Sequence, residues 1–100
     1  MSNENFRGIR TWAEEKGIFA NSTWDKQFVK LEEETLEAMT AMMGGDIAQI
    51  KDELGDCVVV LTVLAAMHGL NIEDCVAGAL AKISKRKGKM VDGQFVKDAY

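Results

Sequence analysis

KLEEETLEAMTAMMGGDIAQIKDELGD, residues 30–56, carries two short acidic signatures on either side of a glycine pair. The first is Glu33-Glu34-Thr35-Leu36-Glu37 and the second is Glu53-Leu54-Gly55-Asp56. Each sets two carboxylates three residues apart, at Glu34/Glu37 and at Glu53/Asp56, and on a helix such positions share a face. Gly44-Gly45 reads as a turn, so the flanking helices are expected to form an antiparallel hairpin. Folding it would gather four carboxylates in one cleft. That donor set suits a hard cation with oxygen ligands, Mg²⁺ before all others.

Working outward, residues 1–100 read as a single domain with a modest core that oligomerisation would help to complete. Twelve Lys and Arg stand against sixteen Asp and Glu, a formal charge of −4. This balance argues against nucleic-acid binding by bulk charge. The absence of proline and the glycines closing periodic stretches are a helical composition. Cys57 and Cys75 make no CxxC and read as reduced core residues of a cytoplasmic protein. The N-terminus lacks an apolar h-region, so no signal peptide is expected. The longest apolar run, 57–67, falls short of the roughly 20 residues a membrane span requires, so no membrane role is expected.

Residues 5–16 form the first predicted helix, with Phe6, Ile9, Trp12 and Ala13 at helical spacing and Gly17 as the stop. It is expected to cover one side of the bundle. Ser22 reads as an N-cap with Asp25 three residues on. The second predicted helix runs from Thr23 to Met43, with Trp24, Phe28, Leu31, Ala38, Met39 and Met42 on one broad apolar face. Lys30, Glu34, Glu37 and Ala41 share a neighbouring stripe. Asp46 caps the third, Ile47 to His68, stopped by Gly69. This helix is apolar almost all round from Cys57, and Glu53 and Asp56 share a stripe with Val60, Val63, Leu64 and Met67. Ionised carboxylates there are costly unless paired or metal-bound. Asn71 caps the fourth, Ile72 to Lys87, with acids at its start and Lys82, Lys85, Arg86 and Lys87 at its end, which suits the helix dipole. Val76, Ala79, Leu80 and Ile83 form its apolar stripe. In the tail, Asp92-Gly93 between short apolar pairs signals a β-hairpin, expected to pack on the bundle or on a partner subunit. The fold class is therefore all-α: a helical hairpin completed by oligomerisation into a four-helix-bundle-like core, with a short hairpin tail.

Taken singly, these signals have plain readings. EExxE alone is an ordinary solvated helix face, and the Lys82/Arg86 pair alone a solvated helix end. Trp24 and Phe28 could stack on a base, with a core role the default. The two acidic motifs on adjacent helices of one hairpin together favour a metal site. His68 is the single histidine and has no Glu three residues before it, which disfavours a di-iron bundle and excludes His-based zinc sites and Ser-His triads.

With these residues in view, the pattern resembles the MazG-type nucleoside triphosphate pyrophosphohydrolases of the all-α NTP pyrophosphatase superfamily, in particular the short single-domain members of bacteria and phages. The resemblance covers about residues 20–90 and rests on EExxE at Glu33–Glu37, ExxD at Glu53–Asp56, and a basic helix with Lys82 and Arg86. The chain departs from the pyrimidine-specific members after that helix, where KGKMVDGQFV stands in place of further aromatic and Asn motifs. The resemblance implies hydrolysis of a nucleoside or deoxynucleoside triphosphate to the monophosphate and pyrophosphate. It implies Mg²⁺, or Mn²⁺ in its place, on Glu34, Glu37, Glu53 and Asp56, with Glu33 and Glu34 as catalytic residues and Glu33 as orienter or base. It implies Lys30, Lys82 and Arg86 on the triphosphate, Trp24 as a candidate at the base, and assembly as a homodimer or homotetramer. The rival readings are a non-catalytic helical dimerisation module and a nucleotide-binding sensor without turnover.

Overall fold

The computed structural model describes residues 3–98 and is mostly helical. Helices α1 (Asn3–Glu15), α2 (Ile18–Asn21), α3 (Trp24–Gly44), α4 (Ile47–Met67) and α5 (Ile72–Ile83) are followed by an antiparallel strand pair, β1 (Gly88–Val91) and β2 (Gln94–Lys97). The predicted helical hairpin is α3 and α4. Gly45 ends α3 at φ +78°, a backbone state that a side chain disfavours, and its N–H donates to the Ala41 carbonyl at 3.1 Å. Asp46 then starts α4, its Oδ1 accepting from the Ala48 and Gln49 N–H groups at 3.0 and 3.3 Å.

Of the broad apolar face predicted for α3, only Ala38 is buried and Leu31 half-buried. The buried residues of α3 are Glu34, Ala38 and Ala41, and those of α4, its main neighbour, are Val60, Thr62, Val63 and Ala65. Small side chains let the two axes approach closely, and one narrow stripe suffices for a single neighbour. Trp24, Phe28, Met39 and Met42 are instead about half exposed, and Met43 is 81% exposed. Thr62, fully buried, donates its hydroxyl to the Val58 carbonyl at 2.7 Å, so its burial leaves no polar group unpaired. Helix α1 covers α4 with Phe6 and Ala13, while its Trp12 stays partly open. Helix α5 buries none of its residues, and its stripe of Val76, Leu80 and Ile83 is exposed. The all-round apolar α4 is thus covered on only part of its surface.

Several local expectations are corrected. The single turn α2 was not predicted, because four residues carry no periodicity. Thr23, not Ser22, is the N-cap of α3, and its side chain makes no capping bond to the backbone; Ser22 Oγ instead accepts from the Gln27 amide at 3.1 Å. The fourth predicted helix stops at Ile83 rather than Lys87. Beyond Ser84 the backbone bonds tighten to three-residue spacing, Lys85 to Lys82 and Arg86 to Ile83. Cys75 is exposed rather than in the core, and Cys57 is half-buried.

Arg10 of α1 grips Glu73 in the first turn of α5 with two parallel N–H···O bonds of 2.7 Å. The bonds from Arg10, then the backbone N–H of Glu73, hold that carboxyl down to about 2. Because the folded value lies below the ordinary 4.5, the stabilisation is fully present above pH 4.5 and is lost as pH falls from there towards 2. Urea midpoints for the wild type and Glu73→Gln are therefore expected to differ near neutrality, with the wild type higher, and to converge below pH 4.5. A constant gap would exclude this origin.

In the strand pair, Asp92 and Gly93 both adopt positive φ, 50° and 82°, as a two-residue hairpin turn needs. Met90 lies opposite Phe95, and Gly88 opposite Lys97. A Cβ on Gly88 would collide with the Val96 carbonyl and meet the Phe95 ring at 2.7 Å. Gly88→Ala is expected to abolish the cross-strand Met90–Phe95 proton contacts in NMR spectra while the helical circular dichroism persists.

Candidate metal centre

Glu34 and Glu37 project from successive turns of α3 towards Glu53 of α4. Each of the three offers a carboxylate oxygen within 4.8 Å of the others. Burial grades across the group: Glu34 is 6% exposed, Glu53 half-buried and Glu37 exposed. Glu34 Oε1 receives Lys30 Nζ at 3.1 Å, and Glu33 lies 3.9 Å from the same ammonium. Glu34 Oε2 and Glu53 Oε2 are buried and accept no hydrogen bond. A buried carboxylate oxygen without a donor is costly, and two of them beside a third carboxylate are a donor set that a divalent cation satisfies. The residues present therefore fit an oxygen-seeking metal ion.

The electrostatics agree. Burial first, then the charge of Glu37 and a hydrogen bond shared with it, then the charges of Asp56 and Glu34, push the Glu53 carboxyl up. Lys30 is raised by its bond to Glu34 and by the neighbouring acids. Burial and then the same carboxylates raise the Cys57 thiol, which keeps it protonated and un-nucleophilic. Among the described residues, Lys30 is the cation that ion-pairs with this group of acids.

Asp56 is exposed and stands outside the trio. It lines the adjoining cleft of about 490 Å³, together with Glu33, Glu34, Lys30 and Lys26. Val59, Val60 and Val63 make one wall, and Trp12 and Gln27 border it. The cleft therefore combines acidic, basic, apolar and aromatic side chains. A second cleft, lined by Asn5, Gly8 and Ile9, shares Trp12, Asp56 and Val59 with the first, so the two run together along α1.

Three expected residues lie elsewhere. Trp24, 59% exposed, lines a separate pocket with Phe19, Met67 and His68. Lys82 and Arg86 line a basic pocket with Lys85, Lys87 and Lys97 that includes none of the acidic trio. Conversely, Trp12 at the cleft was not among the sequence candidates. Nothing local marks it, since its meeting with Val59 and Asp56 depends on how α1 docks on α4.

The family model described as the MazG nucleotide pyrophosphohydrolase domain matches residues 25–91. A relative from Haemophilus phage HP1 (strain HP1c1), an uncharacterized 18.2 kDa protein of the rep-hol intergenic region, is 37% identical over 65 residues. That alignment takes in 65% of this chain and 40% of the phage protein, so the chain spans well under half of that relative's length. No solved structure matches the chain.

Proposed function

The chain belongs to the family of MazG nucleotide pyrophosphohydrolase domains, and from that premise we propose that it hydrolyses nucleoside or deoxynucleoside triphosphates to the monophosphate and pyrophosphate. The observation that carries this reading is the trio Glu34, Glu37 and Glu53, with its two buried carboxylate oxygens lacking donors, beside a cleft that Glu34 shares with Asp56 and Trp12. A bound Mg²⁺ or Mn²⁺ would neutralise phosphate charge and lower the pKa of a coordinated water.

In this reading Glu34, Glu37 and Glu53 would hold the metal, and Asp56, one turn beyond Glu53, would complete the set. Glu33 sits at the cleft within reach of Lys30 and accepts the proton of the attacking water. Lys30, which holds Glu34 Oε1 in this structure, would be free to meet the phosphates where a metal ion took that oxygen, because the two cations compete for it. Water adds at phosphorus, the α–β phosphoanhydride opens, and pyrophosphate leaves. The base meets the face of Trp12, with room beyond it towards Asn5 and Gly8. We place the activity in the cytoplasm, where Cys57 and Cys75 stay reduced. No single described helix is long and apolar enough to cross a membrane.

The test is chromatography of the products after incubation with each common NTP and dNTP, with Mg²⁺ or with chelator. Monophosphate and pyrophosphate that require the metal are the expected result. Nucleotide bound but unchanged would identify a sensor, and no effect of nucleotide or metal a structural module. Metal binding has its own readout. Mg²⁺ at about 100 times its dissociation constant is expected to add about 2.7 kcal/mol of stability, seen as a rise in Tm that chelator reverses.

A further inference from the structure

Gly8, in the middle of α1, has no role that the chain's own packing explains. Its backbone is ordinary helix, since the glycines at positive φ are Gly17, Gly45, Gly69 and Gly93. A Cβ built on it would meet nothing within 4 Å. Glycine inside a helix is less stable than alanine. Neither backbone conformation nor crowding offsets that loss here, and what the missing side chain keeps open is the cleft that Gly8 lines. This second cleft, of about 560 Å³, is also bordered by Glu4, Asn5, Ile9, Trp12 and Asp56. Its size suits a small organic ligand. Two acids and no Lys or Arg line it, so it repels phosphate and favours an uncharged ring. Asn5, Gly8 and Trp12 fall within about 60° of one another around the helix, and Asn5 lies two turns, about 10 Å, from Trp12. Amide, gap and aromatic ring therefore share one face of α1. The Asn5 side chain is exposed and its amide has no partner among the described residues. Such an amide presents a donor and an acceptor side by side, the pattern that pairs with the edge of a nucleobase.

We infer that this second cleft is a base-reading subsite that selects purines: the base stacks on Trp12, passes over Gly8 and presents its hydrogen-bonding edge to Asn5. The inference rests on the function proposed above and names the substrate class that the site takes. The clefts share Trp12, Asp56 and Val59, so a nucleotide with its phosphates beside Glu34 has its base directed into the second. The span then decides between the base classes. A fused two-ring base covers more of the two turns between Trp12 and Asn5, whereas a single ring leaves a gap that water must bridge. A side chain at position 8 would stand in the path of the longer base. Asn5 adds discrimination because a ligand that falls short leaves its amide without the direct bond.

The test compares kcat/KM for ATP, GTP, CTP and UTP and their deoxy forms, with Mg²⁺, in the wild type, Gly8→Leu and Asn5→Ala. The wild type is expected to favour the purines by about 10-fold. Gly8→Leu is expected to erase that preference by raising the purine KM, yet to melt no lower than wild type, because leucine is the better helix former and enters open space. Loss of preference in a chain of undiminished stability is not an unfolding effect. Asn5→Ala is expected to lower purine kcat/KM by about 10-fold, with a smaller change for pyrimidines. A wild type that uses pyrimidines as well as purines, or a preference unaltered in both variants, overturns the inference, while turnover itself upholds the function. If the wild type turns over no nucleotide, binding of AMP, GMP, CMP and UMP decides, followed by NMR. Purine-selective shifts at the Gly8 N–H and the Trp12 indole uphold the subsite. Shifts confined to Trp24, equal shifts with pyrimidines, or none, overturn it.

Discussion

Glu53→Gln is expected to lower triphosphate turnover by about 10³-fold and, in the absence of metal, to raise the melting temperature. The two effects have opposite signs for one reason. The Glu53 carboxyl is half-buried, with one oxygen lacking a donor, and faces Glu37, Asp56 and Glu34, so its charge opposes folding until a cation arrives. Its proton affinity is raised above the ordinary 4.5, so the metal-free chain loses stability as pH rises through that raised value. Glutamine keeps the shape and removes the charge. The variant should therefore melt higher than wild type in chelator near neutral pH, and should lose most of the Mg²⁺-induced rise. A catalytic loss without the stability gain would mean that Glu53 is not the strained member of the trio. Full activity in both Glu53→Gln and Asp56→Asn would remove the assignment of the acids altogether.

Trp12→Ala is expected to raise KM for the nucleotide by about 10-fold, with a smaller change in kcat and an unchanged Mg²⁺ midpoint in thermal shift. Base–aromatic stacking is worth about 1–3 kcal/mol by alanine substitution, which brackets that figure. The ring is 43% exposed and borders both clefts, so it is available to a ligand as well as to the core. Trp12→Phe should restore most of the affinity, because a flat aromatic face is what stacking needs. Trp24→Ala is the matched control, since Trp24 lines a different pocket. If Trp24→Ala raises KM and Trp12→Ala does not, the base lies at the other side of α3.

The features legible in the chain were the ones that local rules govern. Asp46 caps α4 because its short carboxylate reaches two free N–H groups, Gly45 ends α3 because its backbone must turn left-handed, and Asp92-Gly93 turns the strand pair. Three-residue spacing also placed Glu34 with Glu37 on one face, and the glycine pair between the helices brought Glu53 to meet them. The apolar pattern of α3 was misleading about its core. A helix buries the stripe its neighbour can approach, and here the small residues Ala38 and Ala41 allow that approach, while the larger Trp24, Phe28 and Met39 are left open. Asp56 shares a helix face with Glu53, yet stands outside the trio, because membership depends on the reach of α3 across to each turn of α4. Trp12, Lys82 and Arg86 show the same limit from opposite sides. The first reaches the cleft only through the docking of α1 on α4, and the other two are carried away from it by the bend between α4 and α5. Sequence alone determined helix ends, turns and the acidic faces, since each needs only neighbours within a few residues. Tertiary structure decided which faces meet and which charges stay unpaired, since those depend on distances between segments far apart in the chain.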